Sequence, residues 1–147
     1  MNPFEAIIRA AAEKAEDEKR FGHLTREQRI EKNLECNRAF WGYITFNTLP
    51  DGDERGRMMH QLLATLRDAD LAQYYREHMF VDEDEAPRKE SKLRCKFWDK
   101  HYEMVMAALD YAEYCGYITV DHDAMVKESE VIEAKYEAMK PADNEQH

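Results

Sequence analysis

Along most of the chain, apolar residues recur at three- and four-residue intervals, the repeat of helices that turn one face inward. Phe4, Ile7, Ile8, Ala11, Ala12 and Ala15 form the first such stripe. It is preceded by Asn2, Pro3 and Glu5, which supply a capping side chain, a proline at the first helical position and an early carboxylate. Gly22 stops it. A second helix is expected from about Arg26 to Asn47, burying Ile30, Leu34, Phe40, Trp41 and Ile44. Pro50, Asp51 and Gly52 then favour a turn, and Asp53 can cap the next helix. That third helix carries Met58, Met59, Leu62, Leu63 and Leu66, but its stripe loses phase across "RDAD" before Leu71, Tyr74 and Tyr75, which predicts a kink or break.

The consecutive acids and the proline of "VDEDEAP" mark a loop. Beyond it the pattern predicts the longest helix, roughly Arg88 to Cys115, with two apolar sides. Leu93, Phe97, Met104, Val105, Ala108, Ala112 and Cys115 form one, and Trp98, Tyr102, Met106 and Leu109 the other. A helix apolar on two sides is expected at the centre of a fold. A last helix, about Val120 to Met139, presents Met125, Ile132, Tyr136 and Met139. The expected fold is all-α: one domain over residues 1–140, a helical bundle of about five helices with a C-terminal antiparallel helix hairpin, and a disordered tail over 141–147.

"FGHLTREQ" is echoed by "CGYITVDH" near the other end. In each, a glycine suited to left-handed backbone ends a helix, and Thr25 or Thr119 is placed to cap the next. The Gly-x-Ile-Thr spacing also occurs in calcium loops, which need acids at loop positions 1, 3 and 5 and a glutamate at 12. With Gly116 at position 6, those places hold Tyr111, Glu113, Cys115 and His122; with Gly22 they hold Asp17, Lys19, Phe21 and Gln28. Neither set is a calcium site.

Composition narrows the class. A chain of 147 residues fits one domain, and folding at that size buries about two thirds of the unfolded surface. Hydrophobic residues at 44% beside charged residues at 35% suit an ordered, soluble protein. No run approaches the ~18 apolar residues that span a membrane, and the N-terminus lacks the basic start and apolar block of a secretory signal, so a cytoplasmic location is expected. Cys36, Cys95 and Cys115 are odd in number and unpaired by spacing, as reduced, partly buried thiols would be.

Charge changes the picture further. The formal net charge is −10, and residues 101–147 alone carry −8 of it, with Glu128, Glu130, Glu133 and Glu137 on one predicted helix. Against this, "RKESKLRCKFWDK" is net +4. Bases at a helix start meet the positive end of the helix dipole, at a cost of a few tenths of a kcal/mol each. A last helix folded back along its predecessor would bring the acids beside those bases, leaving the rest of the acidic face for a partner.

No catalytic constellation appears. There is no Glu-x-x-His pair, no phosphate loop and no dinucleotide fingerprint. Asp99, His101 and Glu103 alternate, so on a helix they diverge, while Asp121, His122 and Asp123 sit where acids cap a helix start. No cofactor and no metal is expected. The expected function is non-enzymatic: an acidic helical protein whose Glu128, Glu130, Glu133 and Glu137 bind a basic protein surface. One form is an inhibitor of the anti-CRISPR or anti-restriction type, presenting carboxylates to a nucleic-acid-binding machine. Two alternatives are a homodimeric module joined through leftover apolar stripes and a nucleic-acid binder using Arg88, Lys89, Lys92, Arg94, Lys96, Lys100, Trp98 and Tyr102, bases for phosphates and rings for stacking.

Overall fold

A computed structural model describes residues 2–79 and 96–140. Side chains close in sequence set most of the helix starts. Asn2 accepts a hydrogen bond from the Glu5 amide at 2.8 Å and, with Pro3 behind it, opens α1, Pro3–Phe21. Thr25 and Gln28 exchange side-chain and backbone bonds in a capping box that opens α2, Arg26–Gly42. Asp53 accepts from the Gly56 amide at 2.9 Å at the head of α3, Glu54–Met79, after a turn in which Gly52 takes φ 82°. The remaining helices are α4, Lys96–Tyr114, and α5, His122–Glu137. Asp121 caps α5 by accepting from the Ala124 amide. Thr119, expected in that role, lies in a strand instead.

The described residues are mostly helical, in five helices, with one two-stranded antiparallel sheet. Its strands are β1, Ile44–Phe46, and β2, Ile118–Val120. The second helix therefore ends at Gly42, five residues before the expected Asn47. The reason is a repeat that the comparison of Gly22 with Gly116 misses: residues 42–45 and 116–119 are both Gly-Tyr-Ile-Thr. The two copies pair antiparallel with Thr45 opposite Thr119. Asn47 N–H donates to Tyr117 O and Asp121 N–H to Tyr43 O, each at 3.0 Å, so the ladder has a local twofold axis through the threonine pair. Asn47 ties it further, donating to Gly116 O and accepting from the Thr119 hydroxyl. Ile44 and Ile118 both enter the main core with Trp41, Leu63, Leu66, Phe97, Val105, Leu109 and Ala112.

α3 runs unbroken through "RDAD". The inward stripe does not stop there. Leu63 and Leu66 are followed by Asp70, then Gln73 and Tyr74, all buried, so an aspartate and a glutamine fill core positions that hydrophobicity alone reads as a gap. Met58 and Leu62, expected inside, are exposed.

α2 is the central helix, a place the apolar pattern assigns to the fourth. It packs on both α3 and α5 and touches β1, while α4 packs on α3 and β2. Ile30 and Leu34 meet Tyr74 on one side. Cys36 and Ala39 meet a second cluster of Phe21, Leu24, Ile132 and Tyr136 on the other. The expected C-terminal hairpin is thus replaced: the main neighbour of α5 is α2, with α1 at its far end, and not α4. The physical cause is the strand between α4 and α5, which commits the connection to pairing with β1 rather than to a tight reversal. Residues 81–87, 88–95 and 141–147, expected as loop, helix start and tail, lie outside the described residues.

The two repeat glycines make a test. Gly116 adopts φ 80°, where a Cβ is strained, whereas Gly42 closes α2 with nothing within 4 Å of the place an added methyl group would take. Gly116→Ala is expected to lower unfolding free energy by about 1–2 kcal/mol, and Gly42→Ala to leave it unchanged or raise it by up to about 1 kcal/mol, both read from urea denaturation.

Candidate functional site

Where α2, α3 and α4 meet, one carboxylate organises the side chains. Asp70 is fully buried, at 0% exposure. Trp41 Nε1–H donates to Oδ2 at 2.8 Å. Asn37 Nδ2 donates to Oδ2 at 2.9 Å and also to the Tyr74 hydroxyl, and Gln73 Nε2 donates to Oδ1 at 2.9 Å. The Trp98 indole, arriving from α4, is a further donor. Helical spacing places them: Asn37 and Trp41 are one turn apart on α2, and Asp70, Gln73 and Tyr74 share one side of α3. Burial pushes the Asp70 carboxyl above its ordinary value, and the indole and amide donors pull in the opposite direction. Sealed from solvent, this carboxylate orients the side chains around it.

One of the rings it holds, Trp98, lines a groove with Phe40 and Tyr102. Phe40 meets Trp41 and Trp98 edge-on with centroids 5.2 and 5.5 Å apart, Trp98 stacks on Trp41 at 6.4 Å, and Tyr102 meets Trp98 at 6.3 Å. Across from these, α5 contributes Met125, Val126, Ser129 and Glu130, enclosing about 560 Å³ with Cys36 and Asn37 on the α2 side. That volume is in the range of ligand-binding clefts, about 300–1,000 Å³. Its walls are apolar and aromatic, and the exposed Glu130 puts a carboxylate at the rim.

The four acids singled out on α5 divide. Glu133 and Glu137 face Arg20 of α1, with Arg20 Nη2 at 3.7 and 3.1 Å. Among the described residues, the base that meets these two acids is thus Arg20 of α1. Glu130 borders the aromatic groove, and Glu128 borders a shallower cleft with Glu35, Arg38 and Tyr43. A second acid–base set joins α5 to α2. Lys135 Nζ donates to Glu35 at 2.9 Å, and the Tyr136 hydroxyl donates to the same carboxylate. Burial raises the Glu35 carboxyl, but the Tyr136 and Lys135 hydrogen bonds outweigh it and hold the group below the usual range; burial and Glu35 push the Tyr136 hydroxyl up.

Of the basic-aromatic patch, the described part divides between the interior and the surface. Arg88, Lys89, Lys92 and Arg94 lie outside the described residues, as does the side chain of Lys96. Trp98 is committed to Asp70 and packed against Phe40, Trp41 and Phe97, while Tyr102 and Lys100 are exposed. Cys36 is half-buried and Cys115 exposed, Cys95 lying outside the described residues. Among the described residues, no group of three or more His, Cys, Asp or Glu converges as a metal site, and no helix is long and apolar enough to cross a membrane.

Sequence reasoning puts Glu130 in an acidic partner surface and Trp98 and Tyr102 in a separate basic-aromatic patch, expects Phe40 only as core, and does not single out Asn37, Asp70 or Val126 as site residues. The available signal is a polar residue, Asp70, in register with a stripe that resumes four residues on at Tyr74. No protein-family model matches this chain, no curated protein matches it, and no solved structure matches it.

Asp70→Asn is expected to cost about 1–3 kcal/mol, because an amide N–H₂ is placed among groups that already donate. The cost depends on pH. A carboxyl whose folded value is raised contributes its full stability below the unfolded value, near 3.8, and loses that contribution as pH rises through the folded value. Urea midpoints of the two proteins should therefore lie furthest apart in acid and converge as pH climbs. Divergence on raising the pH would mean that the donors outweigh burial.

Proposed function

We propose that this chain is a non-enzymatic interaction protein that takes an apolar, basic segment of a partner protein into the groove between α2, α4 and α5. The observation that carries this reading is the combination of an open aromatic-lined cleft with a carboxylate at its rim. Aromatic rings and methionine are enriched at the buried centres of protein interfaces, and Phe40, Trp98, Tyr102 and Met125 supply them here. Glu130 at the rim and a net charge of −10 favour a cation-bearing occupant, by steering and by register more than by raw affinity. An amphipathic helix laid apolar face inward, with Lys or Arg toward Glu130, meets both requirements. A phosphate backbone in the same cleft would face that carboxylate. Partners that use a basic surface to hold nucleic acid, restriction and CRISPR machines among them, are the narrower form of the proposal. Its support is the acidity of the C-terminal third.

A synthetic amphipathic peptide with a Leu/Phe stripe and a Lys polar face is the direct probe, followed by tryptophan fluorescence because Trp98 lines the cleft. Binding is expected, weakening as salt rises, and a peptide with Glu in place of Lys should bind more weakly. Val126 is exposed on the groove wall, so Val126→Glu should leave folding intact and reduce affinity by about tenfold or more. Glu130→Gln should reduce it by up to about fivefold, as a rim charge does. Equal binding of both peptides, or an unaffected Val126→Glu variant, would remove the groove from consideration.

A further inference from the structure

Among the described residues, α1 meets the rest of the molecule near its C-terminal end. Of its 19 residues, Phe21 alone is buried, with Asp17 and Arg20 half-covered and residues 3–16 exposed. Those exposed turns carry the stripe that opens the chain, and Phe4, Ile7 and Ile8 are 72%, 65% and 60% exposed. Yet the free end is built to stay helical, with Asn2 capping the Glu5 amide and Pro3 in the first turn. A helix of this length is marginal by itself in water and owes its stability to covering an apolar face.

The order of side-chain sizes along the stripe says what fits it. Large groups, Phe4, Ile7 and Ile8, stand at the free end, and small ones, Ala11, Ala12 and Ala15, follow toward the body. We propose that a second copy of this chain covers the stripe through an antiparallel α1–α1 pair. Running the two helices in opposite directions sets Phe4 against the partner's Ala15 and Ile8 against the partner's Ala11, so each large side chain meets a small one and the seam fills evenly. A parallel pair would crowd Phe4 on Phe4 and leave the alanine layers empty. The contact is isologous and closes at two copies.

The polar side of α1 points the same way. Glu5 and Arg9, then Arg9 and Glu13, stand four residues apart and balance one another along the helix. A helix that lies in an anionic membrane surface needs a polar face rich in Lys and Arg, and this one is mixed in sign. No residue of the seam lines the groove between α2, α4 and α5, so partner binding and pairing are separable by mutation.

Sedimentation equilibrium of the full chain over about a hundred-fold range of concentration tests the pair. A monomer–dimer equilibrium is expected. Ile8→Glu should be monomeric throughout, losing at most the helical signal of the free turns of α1 and keeping the urea midpoint of the body, because Ile8 is exposed on the free end and outside the clusters that hold the body together. Ile8→Ala and Ala11→Ile should each weaken the dimer by about tenfold, the first by emptying and the second by overfilling the same layer. Combined, they should restore it to within about threefold of wild type, since the layer regains one large and one small group. A wild type monomeric at every concentration, or a dimer indifferent to Ile8→Glu, would overturn the pair. A double variant no tighter than its worse parent would overturn the antiparallel seating, and capture of the monomer by phosphatidylserine vesicles would reassign the stripe to a membrane surface.

Discussion

A single buried carboxylate gives this fold its geometry. Removing a carboxylate from water costs several kcal/mol, and the cost is recovered only when its oxygens are met by well-placed donors. Asp70 meets donors from three helices: Asn37 and Trp41 of α2, Gln73 of its own helix, and the Trp98 indole of α4. Each fixes a rotamer, and together they fix the rotation of the helices about their axes. A leucine at position 70 would continue the stripe of α3 and bury as well, but it would not select one orientation of two tryptophans. The clamp therefore serves specificity before stability, and the seating of Trp98 in the wall of the groove is its visible result.

The paired strands settle the rest of the architecture. Three residues starting at the isoleucine of each Gly-Tyr-Ile-Thr make a ladder too short to stand alone, and it is stable because Ile44 and Ile118 on one side of it are buried in the main core. By binding the α2–α3 connection to the α4–α5 connection, the ladder sends α4 onto α3 and α5 onto α2. The two C-terminal helices thus approach α2 from different sides, and the space between them is the groove. A hairpin, with α5 flat on α4, would have closed it.

Electrostatics follow packing here. Because α5 lies on α2 and α1, its acids find Arg20, and its one late base, Lys135, finds Glu35. Glu133 and Glu137 are spent on an internal contact, and Glu130 is left where the groove opens. The acidic helix is consequently part lock, holding α1 against the body, and part rim.

The local chemistry of the chain by itself determined the helix starts at Asn2, Thr25 and Asp53, the turn at Gly52, the predominance of helix and the concentration of negative charge in the last third. Capping and charge are written within a few consecutive residues, so no distant partner is needed to read them. The C-terminal hairpin, the break at "RDAD" and the extent of the second helix were misread for one shared reason: each depends on a partner far away in sequence. Ile-Thr-Phe after Gly42 looks like the end of a helix until Ile-Thr-Val after Gly116 pairs with it, although the identical tetrapeptides were there to be compared. Asp70 looks like an interruption until Trp41 and Trp98 bring their N–H groups to it. Only the tertiary structure decided which acids face Arg20 and which face solvent, and that a groove exists at all, because hydrogen-bond partners and packing neighbours are settled by the positions of helices and not by the order of residues within them.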